Sequence, residues 1–291
     1  MTTDAGIFRS GFVTVIGRPN VGKSTLVNRI LGTKVTITSP RPNTTRRPVR
    51  GVLHGPGTQA VFVDTPGLHR PKTALGRRLN ENVADALDDV DVVIAVIDAT
   101  APIGPGDRLV FERAAADDAA RVLVAVNKVD LASPDDVVVQ LAKAHEILEA
   151  NGEFFPVSAA TGLGVEALVL EVLSRLPEGP PYFPEDMVSD VPEAFWVAEL
   201  VREQLLVYLR DELPHSLACR VVEWEWPRVR VEIIVERDSQ KGMVIGHHGE
   251  RLKQVGMAVR EQMPPGAYIE LHVRVEKHWQ QRPEEVDRLG Y

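Results

Sequence analysis

Gly17-Arg18-Pro19-Asn20-Val21-Gly22-Lys23-Ser24 stands between an apolar run at residues 12–16 (FVTVI) and an amphipathic stretch at residues 24–31. A Gly-x4-Gly-Lys-Ser pattern where a strand gives way to a helix predicts a phosphate loop. Backbone N–H groups and the helix N-terminus face the anion, Lys23 reaches the β and γ groups, and the Ser24 hydroxyl ligates Mg²⁺. Working outward, residues 60–63, 92–97, 122–126 and 153–157 are further short apolar runs that read as strands. Residues 76–87, 107–116, 134–151 and 165–176 read as helices between them. This alternation predicts an α/β domain with a mostly parallel, doubly wound sheet, which places ligands at the carboxyl ends of its strands.

The polar motifs fall at those ends. Asp64-Thr65-Pro66-Gly67 closes the run at residues 60–63, so the Asp64 carboxylate is expected as an outer partner of Mg²⁺ and the Gly67 N–H as a donor to a γ-phosphate. Residues 40–47 (PRPNTTRR) form a polar, strand-breaking loop suited to an order–disorder switch, whose threonine ligates Mg²⁺ only when the γ-phosphate is present. Thr45 is the preferred ligand and Thr44 the alternative. Asn127-Lys128-Val129-Asp130 ends the run at residues 122–126 and reads the base. Asp130 can accept from the N1–H and 2-amino group of guanine while Asn127 faces the other edge of the ring. Adenine lacks those donors, and a buried polar site left unpaired discriminates by roughly 10⁴ to 10⁵. Ser158-Ala159-Ala160, after the next strand, offers a backbone N–H to the guanine O6. Leu68 stands where Ras-type switches carry the glutamine that orients the attacking water, so intrinsic turnover is expected to be slow, on the order of 10⁻⁴ to 10⁻² s⁻¹. His69 is the alternative water-positioning group, set against a plain surface histidine.

The chain has 291 residues, a net charge of −8 and one cysteine. That length fits roughly two domains. The acidic balance argues against non-specific coating of nucleic acid, and a lone Cys219 rules out an internal disulfide framework. The proline-rich stretch around residues 176–193 marks the boundary: residues 1–178 form the GTP-binding domain, 179–192 a linker, and 193–291 a smaller α+β domain. In the latter, residues 194–213 have helical periodicity while 228–236 and 269–275 alternate as strands. Gly246-His247-His248-Gly249 follows an apolar strand or turn, Met243, Val244 and Ile245, and opens a helix through Arg260. This resembles a KH module, whose Gly-x-x-Gly loop clamps about four nucleotides of backbone. The RNA-contacting residues expected on that pattern are Lys241, Ile245, Gly246, His247, His248, Gly249, Arg251 and Lys253. From Pro192 onward there are 14 basic and 17 acidic residues, so any RNA contact is confined to a groove. Two histidines replace the usual basic residue between the glycines; imidazoles add charge below about pH 6.5, so acidification is expected to tighten RNA binding. Trp279 and Tyr291 near the end are either stacking faces or anchors.

Taken together, GRPNVGKSTLVNRILG, the Thr-Thr-Arg at residues 44–46, DTPGLH, NKVD, DELPHSLA at residues 211–218, KGMVIG-x-x-G-x-x-LK at residues 241–253 and the terminal KHW…LGY resemble the Era family, bacterial GTPases with a C-terminal type II KH domain. The resemblance covers nearly the whole chain. It implies a GTP site lined by Gly17, Arg18, Pro19, Asn20, Val21, Gly22, Lys23, Ser24, Thr25, Asp64, Thr65, Pro66, Gly67, Asn127, Lys128, Asp130, Ser158, Ala159 and Ala160. Mg²⁺ would be held at Ser24, Thr45 and Asp64, and Lys23, Thr45, Gly67 and Asn20 would support hydrolysis. Asn20 would hold a K⁺ ion that does the work of an arginine finger. It further implies binding of GTP and GDP, of the 3′ end of 16S rRNA, and a role in assembly and maturation of the 30S small ribosomal subunit. A cytoplasmic monomer with peripheral contact at the inner face of the cell membrane is also implied; the acidic balance lends the membrane contact no support. Hydrolysis is expected to reorder residues 41–47 and 67–79. The rival reading is a nucleotide-gated RNA scaffold whose hydrolysis is incidental.

Overall fold

The computed structural model describes residues 7–68, 71, 73–88, 90–116, 122–147, 152–209, 213–214 and 216–291. The chain divides into two compact units, residues 1–36, 45–70 and 79–190 in the first, and 37–44, 71–78 and 191–291 in the second.

Among the described residues the first unit carries β1 (Arg9–Gly17), β2 (Val49–Gly55), β3 (Thr58–Asp64), β4 (Val92–Asp98), β5 (Val122–Asn127) and β6 (Glu153–Pro156) in one sheet of order β2-β3-β1-β4-β5-β6. All neighbours are parallel except β2, which runs antiparallel to β3. Helices α1 (Lys23–Leu31), α3 (Pro105–Ala114), α4 (Pro134–Ile147) and α5 (Val165–Arg175) connect and cover it, with α2 (Ala74–Asp85) crossing the division between the units in sequence. Strands covered on both faces read as near-continuous aliphatic runs: Val13, Val15, Ile94, Val96, Leu123 and Val124 have no exposed surface. Truncating one of them, such as Ile94→Ala, costs about 2–5 kcal/mol because the lost burial is compounded by a cavity. β2 escapes the sequence reading because VRGVLHG has no clean alternation; its pairing with β3 from Val49↔Asp64 to Gly55↔Thr58 makes it a strand.

The proline-rich stretch expected as a linker is instead laid against the first unit as far as Asp190. Ser10 N–H donates to Pro177 O at 3.0 Å, Gly179 N–H to Phe8 O at 3.0 Å, and Val52 N–H to Val188 O at 2.8 Å. Gln59, 1% exposed, accepts from Tyr182 N at 2.7 Å and Phe183 N at 3.0 Å through its side-chain oxygen. A buried amide oxygen without those donors would carry an unpaid desolvation cost, so composition alone misjudged a segment that tertiary hydrogen bonds hold down.

The second unit carries α6 (Glu193–Tyr208), β7 (Ala218–Glu225), β8 (Arg228–Val235), α7 (Asp238–Ile245), α8 (Glu250–Arg260), β9 (Tyr268–Val275) and α9 (Pro283–Arg288). β7 and β8 are antiparallel, β8 and β9 parallel. Residues 244–245, expected as a strand or turn, end the helix α7. Cys219 is buried in the apolar core of this unit. Trp279 is fully buried, donates from Nε1 to Ser216 O at 3.0 Å and packs on the buried Tyr291 ring at 6.1 Å between centroids. Both rings are therefore anchors, and the alternative of nucleic-acid stacking falls for want of exposed faces. Arg202 on α6 is also fully buried; Glu199 pairs with its guanidinium, which donates to Thr44 O. Glu203 accepts from Thr38 N at 2.9 Å and Arg41 donates to Leu209 O at 3.0 Å. These bonds are why residues 37–44, far upstream in sequence, count with this unit.

Candidate nucleotide site and nucleic-acid loop

The carboxyl end of β1 turns through Gly22, whose φ of 98° lies in the left-handed region, into α1. A Cβ there would also collide with the Asn127 amide nitrogen, so glycine is required twice over. The turn brings Lys23 inward: it is 6% exposed and its ammonium donates to Gly17 O and Arg18 O, both at 3.1 Å. Burial lowers its pKa to about 8, against the opposing pull of Asp64. Arg18 is itself tied by Nε to Asp107 on α3 at 2.6 Å, so its side chain braces the loop from outside.

Asp64 ends β3 with no exposed surface. Its Oδ2 accepts from Thr36 Oγ1 at 2.9 Å and Thr45 Oγ1 at 3.2 Å, and Thr45 Oγ1 lies 2.8 Å from Ser24 Oγ. Burial raises the Asp64 pKa; the Lys23 charge and the hydroxyls of Ser24, Thr36 and Thr45 oppose it. The other carboxylate oxygen, Oδ1, is buried without a hydrogen-bond partner. A buried carboxylate oxygen in that state is a desolvation cost that a hard cation would remove. Three hydroxyls and a carboxylate are also the oxygen donor set Mg²⁺ takes, so the residues present fit that ion. Thr44 is turned away, its hydroxyl donating to Arg41 O at 2.7 Å, which separates the two threonines that the sequence left open. Thr36 was missed by sequence reasoning. It is set in place by Asn28 of α1, whose Oδ1 accepts from Val35 N at 2.9 Å and Thr36 N at 3.1 Å; a polar residue recurring in the apolar VTIT run was the available signal.

The residues expected to read the base come together at the ends of β5 and β6. Asn127, 2% exposed, donates from Nδ2 to Val21 O at 2.8 Å and accepts from Ala159 N at 2.9 Å. It thus staples the phosphate loop to the loop at residues 158–160, a bracing task the sequence did not disclose. Arg29 supports the same loop, donating to Ala159 O at 3.0 Å and to Ala160 O. Lys128, at φ 68°, pairs with Asp98 of β4 and turns the chain so that Asp130 is exposed. Asn20 lies within the phosphate loop, exposed at φ 66°, and Thr25 follows the loop on α1. Thr65 is fully buried, its hydroxyl donating to Val15 O at 2.7 Å, and a Cβ on Gly67 would stand 2.7 Å from Pro19 N, so the Asp64–Gly67 turn and phosphate loop touch through backbone. Leu68 packs in the apolar core with Ile16 and Val93, its N–H donating to Gly17 O at 3.2 Å. Leucine here closes the core behind the phosphate loop instead of facing solvent. His69 lies outside the described residues.

In the second unit, Gly246 (φ 75°, ψ 177°) and Gly249 (φ 78°) bracket His247 and His248, whose rings meet edge-on at 4.0 Å. The Gly246 conformation is essentially closed to other residues, and a Cβ would lie 2.8 Å from Arg251 Cβ. Arg251 folds back and donates to Met243 O, which leaves the other guanidinium N–H groups available to a phosphate. Lys241 and Lys253 are exposed and make no ion pair among the described residues. The sheet behind is different: Arg220 pairs with Glu232, and Arg228 and Arg230 share Glu270, whose carboxyl they hold down to about 2 through hydrogen bonds led by Arg230. Cationic charge on the strands is thus cancelled locally, whereas charge at the loop is not. Met243 and Met257, roughly half exposed, and the partly buried Ile245 and Leu252 give the loop an apolar border.

Residues 12–128 match the family model described as a 50S ribosome-binding GTPase, and residues 212–280 match the KH domain. GTPase Era of Mycobacterium avium (strain 104) is 46% identical over 297 residues, covering 98% of this chain and 99% of its own. GTPase Era of Mycolicibacterium smegmatis is 45% identical with the same coverage. Two crystal structures superpose with a TM-score of 0.92 at 37% identity, covering 98% of this chain and 99% of theirs. One is Era in complex with MgGDPNP and nucleotides 1506–1542 of 16S ribosomal RNA; the other is a variant of Aquifex aeolicus Era bound to GDP and aluminium fluoride. With 46% of its residues shared across 98% of its length, this chain belongs to the Era family of GTPases.

Proposed function

We propose that this GTPase binds GTP with Mg²⁺ in the first unit, binds the 3′ end of 16S rRNA through residues 241–253 of the second, and acts as a slow switch in small-subunit assembly. The observation that carries the nucleotide half is the buried Asp64 cluster: the Thr36 and Thr45 hydroxyls bond one carboxylate whose second oxygen has no partner, and the Ser24 hydroxyl joins them through Thr45. Ser24, Thr45 and Asp64 would hold the ion, which when bound neutralises charge developing on the transferred phosphoryl group. Lys23 would exchange the two loop carbonyls for phosphate oxygens, and Asp130 would select guanine. Thr45 follows directly on Thr44, whose carbonyl Arg202 holds. Drawing the Thr45 hydroxyl toward a nucleotide-bound ion therefore pulls on a segment that belongs to the RNA-binding unit, which supports a link between nucleotide state and RNA affinity. Asn20 would place K⁺ against the phosphates, and faster turnover in KCl than in NaCl checks that role.

The RNA half rests on the Gly246–Gly249 backbone with Lys241 and Lys253 beside it, and on the solved relative that holds a 16S fragment. The deciding experiment is crosslinking of a 3′-terminal 16S fragment to the protein loaded with GTP analogue or GDP, with mapping of both partners. Crosslinks at residues 241–253 that depend on nucleotide are expected; their absence from that region removes the RNA assignment. Turnover stimulated by the fragment separates a timed switch from a scaffold with incidental hydrolysis. The proposed place of action is the cytoplasm, as a monomer, and flotation with anionic vesicles tests peripheral membrane contact.

A further inference from the structure

Three of the chain's four tryptophans line one cavity of about 510 Å³ in the second unit. Trp196 comes from the first turn of α6, Trp224 from the end of β7 and Trp226 from the turn before β8, while Gln262 and Met263 come from just beyond the end of α8. The Gly-x-x-Gly loop lies at the other end of α8, which at 11 residues puts about 16 Å of helix between them. Trp226 is 50% exposed, an unusual cost for the largest apolar side chain.

The chemistry of the walls selects the occupant. Aromatic faces carry the negative end of the ring quadrupole and attract cations. The charged group in the lining is the carboxylate of Glu193, and no lysine or arginine is found among the described lining residues. Glu193 also sits in the first turn of α6, where it offsets the positive end of that helix. Phosphate or a nucleotide backbone would meet negative charge and π faces there. A guanidinium would instead stack on indole, hydrogen-bond to Glu193 and Gln262, and shed its weak hydration cheaply. Trp and Arg are also among the residue types enriched where protein partners concentrate binding energy. From this complementarity we propose that the tryptophan cavity is a docking site for an arginine side chain presented by a basic protein segment, separate from the nucleotide site and the RNA loop.

The test uses the full chain and a dye-labelled Gly-Arg repeat peptide of eight residues, read by fluorescence anisotropy, with the same peptide carrying Glu for Arg and an oligouridine as comparisons. The Arg peptide is expected to bind and the Glu peptide not. Trp226→Ala is expected to weaken binding about tenfold or more, Trp226→Phe to keep most of it, and Glu193→Gln to weaken it about threefold, as loss of a desolvated cation–π contact and of one charge-assisted hydrogen bond imply. A cooperative thermal unfolding transition of the second unit kept in all three confirms that they fold. Peptide binding indifferent to Trp226→Ala and Glu193→Gln would overturn the proposal as mere attraction to an acidic chain. Loss of oligouridine binding in Trp226→Ala with the peptide unaffected would overturn it in favour of a base-stacking platform.

Discussion

The nucleotide site and the Gly-x-x-Gly loop both use glycine-rich turns before a helix, yet they are built on opposite principles. Around Lys23 and Asp64 the functional groups are buried and cross-braced: Asn127 joins two loops, Asn28 places Thr36, and two hydroxyls meet one carboxylate while Ser24 bonds the second of them. Around His247 and His248 the side chains are exposed, and the conformation is carried by the backbone of Gly246 and Gly249. In the first region a substitution should alter chemistry or base choice while the fold persists. In the second it should alter backbone shape, and side-chain changes should matter less.

The largest expected effect is on base choice. Asp130→Asn replaces an acceptor by a donor, so competition binding with GTP and XTP should show preference moving from guanine toward xanthine by roughly 10⁴, the scale on which unpaired polar sites discriminate. Unchanged preference would mean that the exposed Asp130 does not meet the base. Next comes the hydroxyl cluster: Thr45→Ala should lower single-turnover hydrolysis by about 10² to 10³ with GDP affinity nearly kept, the loss typical of a group acting mainly in the transition state. The same loss from Thr44→Ala would break the distinction that the Arg41 hydrogen bond draws between the two threonines. In the loop, Gly246→Ala should weaken RNA binding about tenfold or more, since forcing a side chain into that conformation costs about 1–3 kcal/mol, while turnover without RNA stays unchanged. Lys253→Ala, by contrast, should reduce the salt dependence of RNA binding by about one phosphate contact.

The smallest effect concerns Lys23. Its pKa is lowered to about 8 by burial, and contact with phosphates favours the charged form. Binding then takes up a proton above pH 8, so affinity is full below that pH and falls as pH rises through it. GDP should bind about three- to fivefold more weakly at pH 8.5 than at pH 7 by proton linkage, as read by calorimetry in buffers of different ionisation enthalpy. Lys23→Arg, which keeps its charge, should lose this dependence along with much of the affinity.

How far the sequence could be read follows from the reach of its interactions. The phosphate loop, the Asp64–Gly67 turn, the Asn127–Asp130 strand end and the Gly246–Gly249 loop are each local: a glycine, a strand end and a few polar residues within eight positions dictate both shape and chemistry. Strands β1, β4 and β5 were equally legible, because burial on both faces demands an unbroken aliphatic run. Features that depend on partners far along the chain were not. Whether residues 179–190 hang free or pack depends on Gln59 and β2, more than 120 positions away. That Thr36 joins the Asp64 cluster depends on Asn28, that Thr44 is held apart from Thr45 on Arg41 and Arg202, and that Trp279 is an anchor on Ser216. The amino-acid sequence by itself determined that a phosphate loop, an Asn-Lys-x-Asp strand end and a KH-like loop exist, because backbone conformation and side-chain chemistry are set within a turn. Only the tertiary structure decided which hydroxyls share the Asp64 carboxylate and which unit holds residues 37–44, because those choices are made by burial and long-range hydrogen bonds.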